Sequence, residues 1–195
     1  MSTRLESQLN LIIEIDKLKS VLRKSKVKSA EGRAENSAEH SWQVALMALI
    51  LAEHADFEVD IARVVKMLLI HDVVEIDAGD VLVYDIAARK AQEEKEQQAA
   101  KRIFGLLPED QALQFEALWH EFEAAESNDA KFAKALDRLA PIMLNYHNEG
   151  KSWQENGVRK EQVLSINERI GYASDSLWQY TKELIENVAF KGWLQ

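Results

Sequence analysis

The sequence predicts an all-α protein of about seven or eight helices in a single compact domain, and three observations predict it. Only seven glycines and two prolines punctuate 195 residues, so long uninterrupted elements are expected and a many-turned β-sandwich is not. Apolar side chains make up 47% of the chain, enough for a core of its own at a length that favours one domain over 1–195. Apolar positions recur at three- and four-residue steps, and no stretch sustains strand alternation.

Taken in order, Thr3 and Glu6 have capping-box spacing, and Leu5, Leu9, Ile12, Leu18, Val21 and Leu22 follow at helical steps. This predicts a first amphipathic helix ending near Lys24. The charged stretch "SKVKSAEGRAENSAEH" carries Gly32 and reads as a loop, with Asn36 or Ser37 capping the next helix. That second helix, Ala38 to about Ala55, puts His40, Val44, Met47 and Leu51 on one stripe and Leu46, Leu49 and Ile50 on another, so a central position is expected. Asp60 can cap a third helix, in which Ile61, Val64, Leu68, His71 and Glu75 step by three and four. Residues 88–104 form a charged helix with a solvated face, closed by Gly105 and Pro108. "PEDQALQFEALWHEFEAAE" begins another, with acidic residues at its positive end. "SND" at 127–129 caps a helix whose inward stripe is Phe132, Leu136, Leu139, Met143 and Tyr146. After Gly150 and Gly157, two C-terminal helices are expected over about 159–172 and 175–190.

Composition also limits function. The absence of cysteine removes disulfides, thiolate nucleophiles and cysteine-type zinc sites together, and the opening residues lack the apolar core of a signal peptide, so a cytoplasmic protein is expected. No apolar run approaches the roughly 20 residues that span a bilayer. A formal charge of -9 repels a nucleic-acid backbone, and the locally basic Lys17–Arg33 stretch has no aromatic residue on which bases could stack. A polymer of nucleic acid is therefore not the expected partner.

The chemistry concentrates in "MLLIHDVVEIDAGD", residues 67–80. An apolar run ends there on a histidine and then spends Asp72, Glu75, Asp77 and Asp80 within ten positions. Buried carboxylates need neutralising, so the stretch either surfaces at a helix end or holds a cation. His40 and His71 lie on the inward stripes of neighbouring helices, and imidazole with carboxylate makes a donor set suited to a divalent transition metal. A further carboxylate from another helix would complete it. Asp137, in "KALDRLAP", is the best placed, because Leu136 and Leu139 set its surroundings against the core. Pro141 also crowds the carbonyl four residues earlier, which is that of Asp137.

His40, the pair His71-Asp72 and the distant Asp137 resemble the four metal ligands of the HD superfamily of metal-dependent phosphohydrolases. "RAENSAEHSWQVALMALILAEH" with "LLIHDVVEIDAGD" is similar to its 5'-deoxynucleotidase-like branch, and "KFAKALDRLAPIMLNYHNEG" continues the likeness. The resemblance implies a helical HD domain with a metal-site core at about 33–148 and C-terminal helices at about 159–190. It also implies that His40, His71, Asp72 and Asp137 bind the metal, that Glu75 matches the catalytic glutamate and that Asp80 matches a substrate-site aspartate. One feature departs from the branch, whose nucleotidases can carry an Arg-Trp pair upstream of the first metal histidine. Here that region reads "VLRKSKVKSAEGR", with no tryptophan before Trp42, which leaves the phosphate clamp and the sugar preference unassigned.

The expected reaction is hydrolysis of nucleoside 5'-monophosphates, deoxyribonucleotides among them, by a metal-activated water whose proton Glu75 accepts. Glu75 and a phosphate dianion make the pocket negative, so a cation must help, and Arg33 and Arg138 are the candidates, Arg33 first. HD enzymes with two metals recruit extra histidines between the His-Asp pair and the final aspartate, and only His120 lies there, so the resemblance implies one divalent ion per chain (Mn, Co, Fe, Ni or Zn, with Mg also allowed). The competing reading is a non-catalytic regulatory protein whose metal only staples the helices or senses a nucleotide; Glu75 separates the two, since a structural site needs no spare base. The "SLWQYTKELIENVAFKGWL" tail would suit a helix-mediated homodimer, with core packing inside one subunit the competing use of its apolar residues.

Overall fold

A computed structural model describes residues 3–194, apart from the side chains of Ile86 and Arg89, so the outermost residues of the 1–195 reading lie outside it. The chain is mainly helical. Helix α1 (Arg4–Ile15) starts on the Thr3/Glu6 capping box, but ends nine residues short of Lys24, in a 3-10 turn over Asp16–Ser20. The expected loop is instead a hairpin. Strand β1 (Leu22–Val27) pairs antiparallel with β2 (Arg33–Asn36), in register Val27↔Arg33, Lys26↔Ala34 and Leu22↔Asn36. Its inward residues are polar, Ser25 and Glu35 being buried, so the apolar alternation that marks a strand is missing.

Asn36 then caps α2 (Ser37–Leu51), its side chain accepting from the Glu39 amide while Glu39 returns the bond. Only one side of α2 is covered by its own chain. Val44, Ala45 and Ala48 are buried, whereas Trp42, Leu46, Leu49 and Ile50 are exposed, so the expected central position is corrected to a peripheral one. Asp60 caps α3 (Ile61–Ile70) as expected. The predicted continuation through Glu75 is interrupted: residues 71–74 tighten into turns before the short α4 (Glu75–Ala78), with the amides of Val73 and Glu75 bonding to Ile70 and Asp72 carbonyls. Gly79 at φ +77°, which a side chain would strain, turns the chain out of α4. The Gln92 amide fixes that turn by donating to the carbonyls of Ala78 and Gly79.

Three long helices follow, α5 (Ile86–Phe104), α6 (Glu109–Ala124) and α7 (Asn128–His147, capped by Ser127), and then the short α8 (Lys151–Glu155). The last two are α9 (Lys160–Asn167), which passes into a 3-10 turn at Glu168–Tyr172, and α10 (Asp175–Phe190). The ten helices of the described residues exceed the expected seven or eight because short turns count separately. The tail is largely core: Leu177, Leu184, Ile185 and Val188 pack against α7 residues such as Leu136 and Leu139.

Two apolar clusters result. The larger gathers α2, α3, α7 and α10 around Met67, Leu68, Phe132 and Leu136. The smaller joins Leu11, Leu18, Val73, Val74, Ile103, Phe104 and Trp119. Residues 67–74 pass from one cluster to the other, and the polar groups of His71 and Asp72 sit on that seam. No helix of the described residues is long and apolar enough to cross a membrane.

Candidate metal centre

The break after α3 lets two consecutive side chains serve one point. His71 Nε2 lies 3.0 Å from Asp72 Oδ1 and 3.5 Å from Asp137 Oδ1, which α7 delivers from across the core. His40, fully buried on α2, places Nε2 3.0 Å from Asp137 Oδ1 and 4.0 Å from Asp72 Oδ2. One donor atom each from His40, His71 and Asp72 falls within 4.8 Å of the others, and Asp137 joins them through both imidazoles. Donors about 2.1 Å from a shared ion stand about 3.0 to 4.2 Å apart in tetrahedral or octahedral sites, so these spacings fit.

The proton positions support the same reading. His71 Nδ1 faces the Leu68 carbonyl at 2.8 Å, and since a carbonyl only accepts, that nitrogen carries the hydrogen. The other ring nitrogen, Nε2, faces two carboxylates, and this buried nitrogen has no hydrogen-bond partner. Converging lone pairs repel unless a cation lies between them. The donor set suits a divalent metal. Trp119 steadies the turn by donating Nε1–H to the His71 carbonyl at 3.2 Å, and Phe122 packs on the His71 ring.

The electrostatics divide the carboxylates. Burial opposes ionisation of Asp137, but the two imidazoles beside it, His40 hydrogen-bonded at 3.0 Å and His71 at 3.5 Å, outweigh it and hold this carboxyl well below the usual range. For Glu75 burial works with the negative charge of Asp72, against Arg23, and raises its proton affinity well above an ordinary glutamate. Ser37 Oγ donates to Glu75 Oε2 at 2.5 Å and fixes that carboxylate. Asp80 is raised by burial, partly offset by Arg23. His40 is pushed up to about 9: burial and Arg23 oppose its protonation, while Asp137, Glu35 and Asp72 together prevail.

Glu75, Asp80, Asp137 and Arg138 line one cavity of about 740 Å³ with His71, Asp72, Tyr84 and Trp153. Arg33 does not. It lies on the outside of β2, forked onto Glu39 at 2.6 and 2.8 Å. The guanidinium inside the acidic cavity is that of Arg23 on β1, with Nη1 2.5 Å from Asp72 Oδ2, 3.8 Å from Glu75 and 3.9 Å from Asp80. Glu35, 2% exposed, sits behind it, with Oε2 3.5 Å from Arg23 Nε and 3.6 Å from His40 Nδ1. Sequence reasoning missed Arg23, Glu35 and Ser37. Arg23 is one of four basic residues between 22 and 29, so only its inward position in the hairpin distinguishes it, and Glu35 and Ser37 carry no signal apart from preceding His40.

Fold and site together define a mainly helical protein with a buried His/Asp cluster for a divalent metal. The chain belongs to the HD domain family, whose sequence profile matches residues 15–178. It is 32% identical over 137 residues to human "5'-deoxynucleotidase HDDC2" and 33% identical over 130 residues to the cow protein of that name, covering 70% and 66% of this chain. The matched stretches span 66% and 62% of those relatives' own lengths, just under two thirds. Among solved structures, a "predicted metal-dependent phosphohydrolase" from Magnetospirillum magnetotacticum MS-1 superposes with a TM-score of 0.93 at 48% identity, covering 98% of this chain and 95% of its own.

Proposed function

We propose that this protein is a metal-dependent phosphomonoesterase that hydrolyses nucleoside 5'-monophosphates, deoxyribonucleotides among them, to nucleoside and phosphate. The observation that carries the reading is Glu75: a buried carboxylate of raised proton affinity, fixed by Ser37 beside the His/Asp cluster and not needed to complete it. The relatives named 5'-deoxynucleotidase support the substrate class, and the phosphohydrolase neighbour supports the reaction class.

In this scheme His40, His71, Asp72 and Asp137 hold one divalent ion per chain. Such an ion supplies Lewis-acid charge and a water of lowered pKa, the chemistry a phosphate ester needs. Glu75 accepts the proton of the attacking water, and its raised proton affinity brings it nearer the working pH, where a general base is most effective. Arg23, already among the carboxylates, turns its charge to the incoming phosphate; Arg138, on the same wall, assists. Glu35 orients both His40 and Arg23 from behind, and Asp80 lies where the sugar enters. The chain works as one domain in the cytoplasm, consistent with its lack of cysteine.

A non-catalytic, metal-stapled binding protein needs the four donors but has no use for a Ser37-fixed glutamate, so it is the weaker reading. The test is phosphate release from a panel of ribo- and deoxyribonucleoside monophosphates, with each divalent metal added in turn. Release from monophosphates with at least one metal supports the proposal; no release with any pair overturns it.

A further inference from the structure

The cavity that holds Glu75 continues well past the His/Asp cluster. On α7 its lining runs from Asp137 through Pro141 and Ile142 to Asn145, about 12 Å along the axis at 1.5 Å per residue. The segment from Asp80, beside Arg23, to Tyr84 lines it as well, and Ser152, Trp153 and Asn167 complete the far end. There Trp153 donates Nε1–H to the Tyr84 hydroxyl at 3.3 Å, while Asn145, Ser152 and Asn167 are only 6%, 4% and 2% exposed. None of these side chains is charged. This end therefore suits a neutral part of a ligand, not a second phosphate.

The hydrogen bonds already made define what the far end can still offer. Asn145 Nδ2 donates to the Pro141 carbonyl at 3.0 Å and Asn167 Nδ2 to the Val163 carbonyl at 2.7 Å, so each amide has its Oδ1 to present as an acceptor. Burial raises the proton affinity of the Tyr84 hydroxyl, and Trp153 and Asn167 both pull it down, as N–H donors to its oxygen do. The hydroxyl hydrogen is left to donate. Capping of helix carbonyls accounts for the two amide nitrogens alone, not for two oxygens and a hydroxyl enclosed at one end of a cavity.

We infer that this end is a nucleobase subsite that prefers bases carrying an exocyclic amino group, adenine, cytosine and guanine, to thymine and uracil. The inference rests on the nucleotide substrate proposed above. An amino group brings two hydrogens for two amide oxygens, and in each of these bases it flanks a ring nitrogen able to accept from Tyr84. Thymine and uracil set carbonyl oxygen against amide oxygen, which leaves buried polar groups unpaired. Leu82, Pro141 and Ile142 add apolar wall for a flat ring.

Equilibrium dialysis of the full chain, as purified, against deoxyadenosine, deoxycytidine and thymidine tests it, because nucleosides have no phosphate to hydrolyse. The two amino-bearing nucleosides should bind at least about tenfold more tightly than thymidine. Tyr84→Phe and Asn145→Leu should each bring that ratio within about threefold of unity, with the far-ultraviolet spectrum unchanged. Thymidine binding as tightly as the others overturns the inference, as does the absence of nucleoside binding at millimolar concentration. So do folded variants that keep the full ratio; where a variant does not fold, the parental ratio decides. Selective nucleoside binding by a chain that releases no phosphate from any monophosphate would uphold the subsite and remove the reaction. Phosphate release from every monophosphate, with equal nucleoside affinities, would remove the subsite and keep the reaction.

Discussion

Asp137 and Glu75 face the same cavity, and both are buried, yet their environments push them in opposite directions. Two imidazoles flank Asp137, that of His40 hydrogen-bonded to it, and keep it ionised. Glu75 meets the negative charge of Asp72 and retains affinity for a proton. Desolvation is common to the two and penalises both charges, so the neighbour, not the burial, decides the outcome. A carboxylate between histidines is prepared for a cation; one beside another carboxylate is prepared for a proton. Pairs of acids driven apart in this way mark the division of labour in acid–base sites.

The largest break in the comparison comes from removing an imidazole. His71→Ala should empty the site of metal and lower phosphate release by at least about 10³-fold. His54→Ala, at an exposed residue of the 3-10 turn Ala52–His54 that follows α2, should keep both, as metal analysis and turnover will read. Next is the cation: Arg23→Ala should weaken monophosphate binding by roughly 10- to 100-fold in KM, consistent with loss of a buried charge-assisted contact. Arg33→Ala removes only an exposed pair with Glu39, and should leave KM within about twofold.

Smaller changes sharpen the cation side. Glu35→Gln should cost about 10- to 100-fold in metal affinity, measured by chelator competition on the metal-free chain, because the partner behind a ligating histidine sets its orientation. In the metal-free protein His40 is raised from 6.5 to about 9, so its protonation stabilises the fold fully below 6.5, and that contribution is lost as pH rises through 9. The melting temperature without metal should therefore fall across this window. Proton and metal compete for the same nitrogen, so metal affinity should rise over the same range, by up to about tenfold per pH unit.

The helices were legible because their signals are local. Capping pairs such as Thr3/Glu6 and Asn36/Glu39, and stripes such as Phe132, Leu136 and Leu139, can be read within a few turns. The hairpin was not, because Arg23 and Ser25 line a polar cavity, with the buried Glu35 behind Arg23, where a folding strand would otherwise show apolar residues. The same physics hid Arg23 from the site: its partners Asp72, Glu75 and Asp80 are about fifty positions away, and only the fold joins them. His40, His71, Asp72 and Asp137 could be proposed as a set from residue type, helical phase and likeness to a known pattern. Their separations, and the Leu68 carbonyl that fixes the His71 tautomer, required the structure.

The central claim is that Glu75 handles a proton while its neighbours handle the metal, and Glu75→Gln tests it most directly. The amide keeps the size of the side chain and can still bond Ser37, but cannot accept the proton of water. Metal content and monophosphate affinity should be retained, and turnover should fall by about 10²- to 10⁴-fold, the usual loss for a general base. A Glu75→Gln protein that hydrolyses monophosphates at the parental rate, or that has lost its metal, would contradict the account.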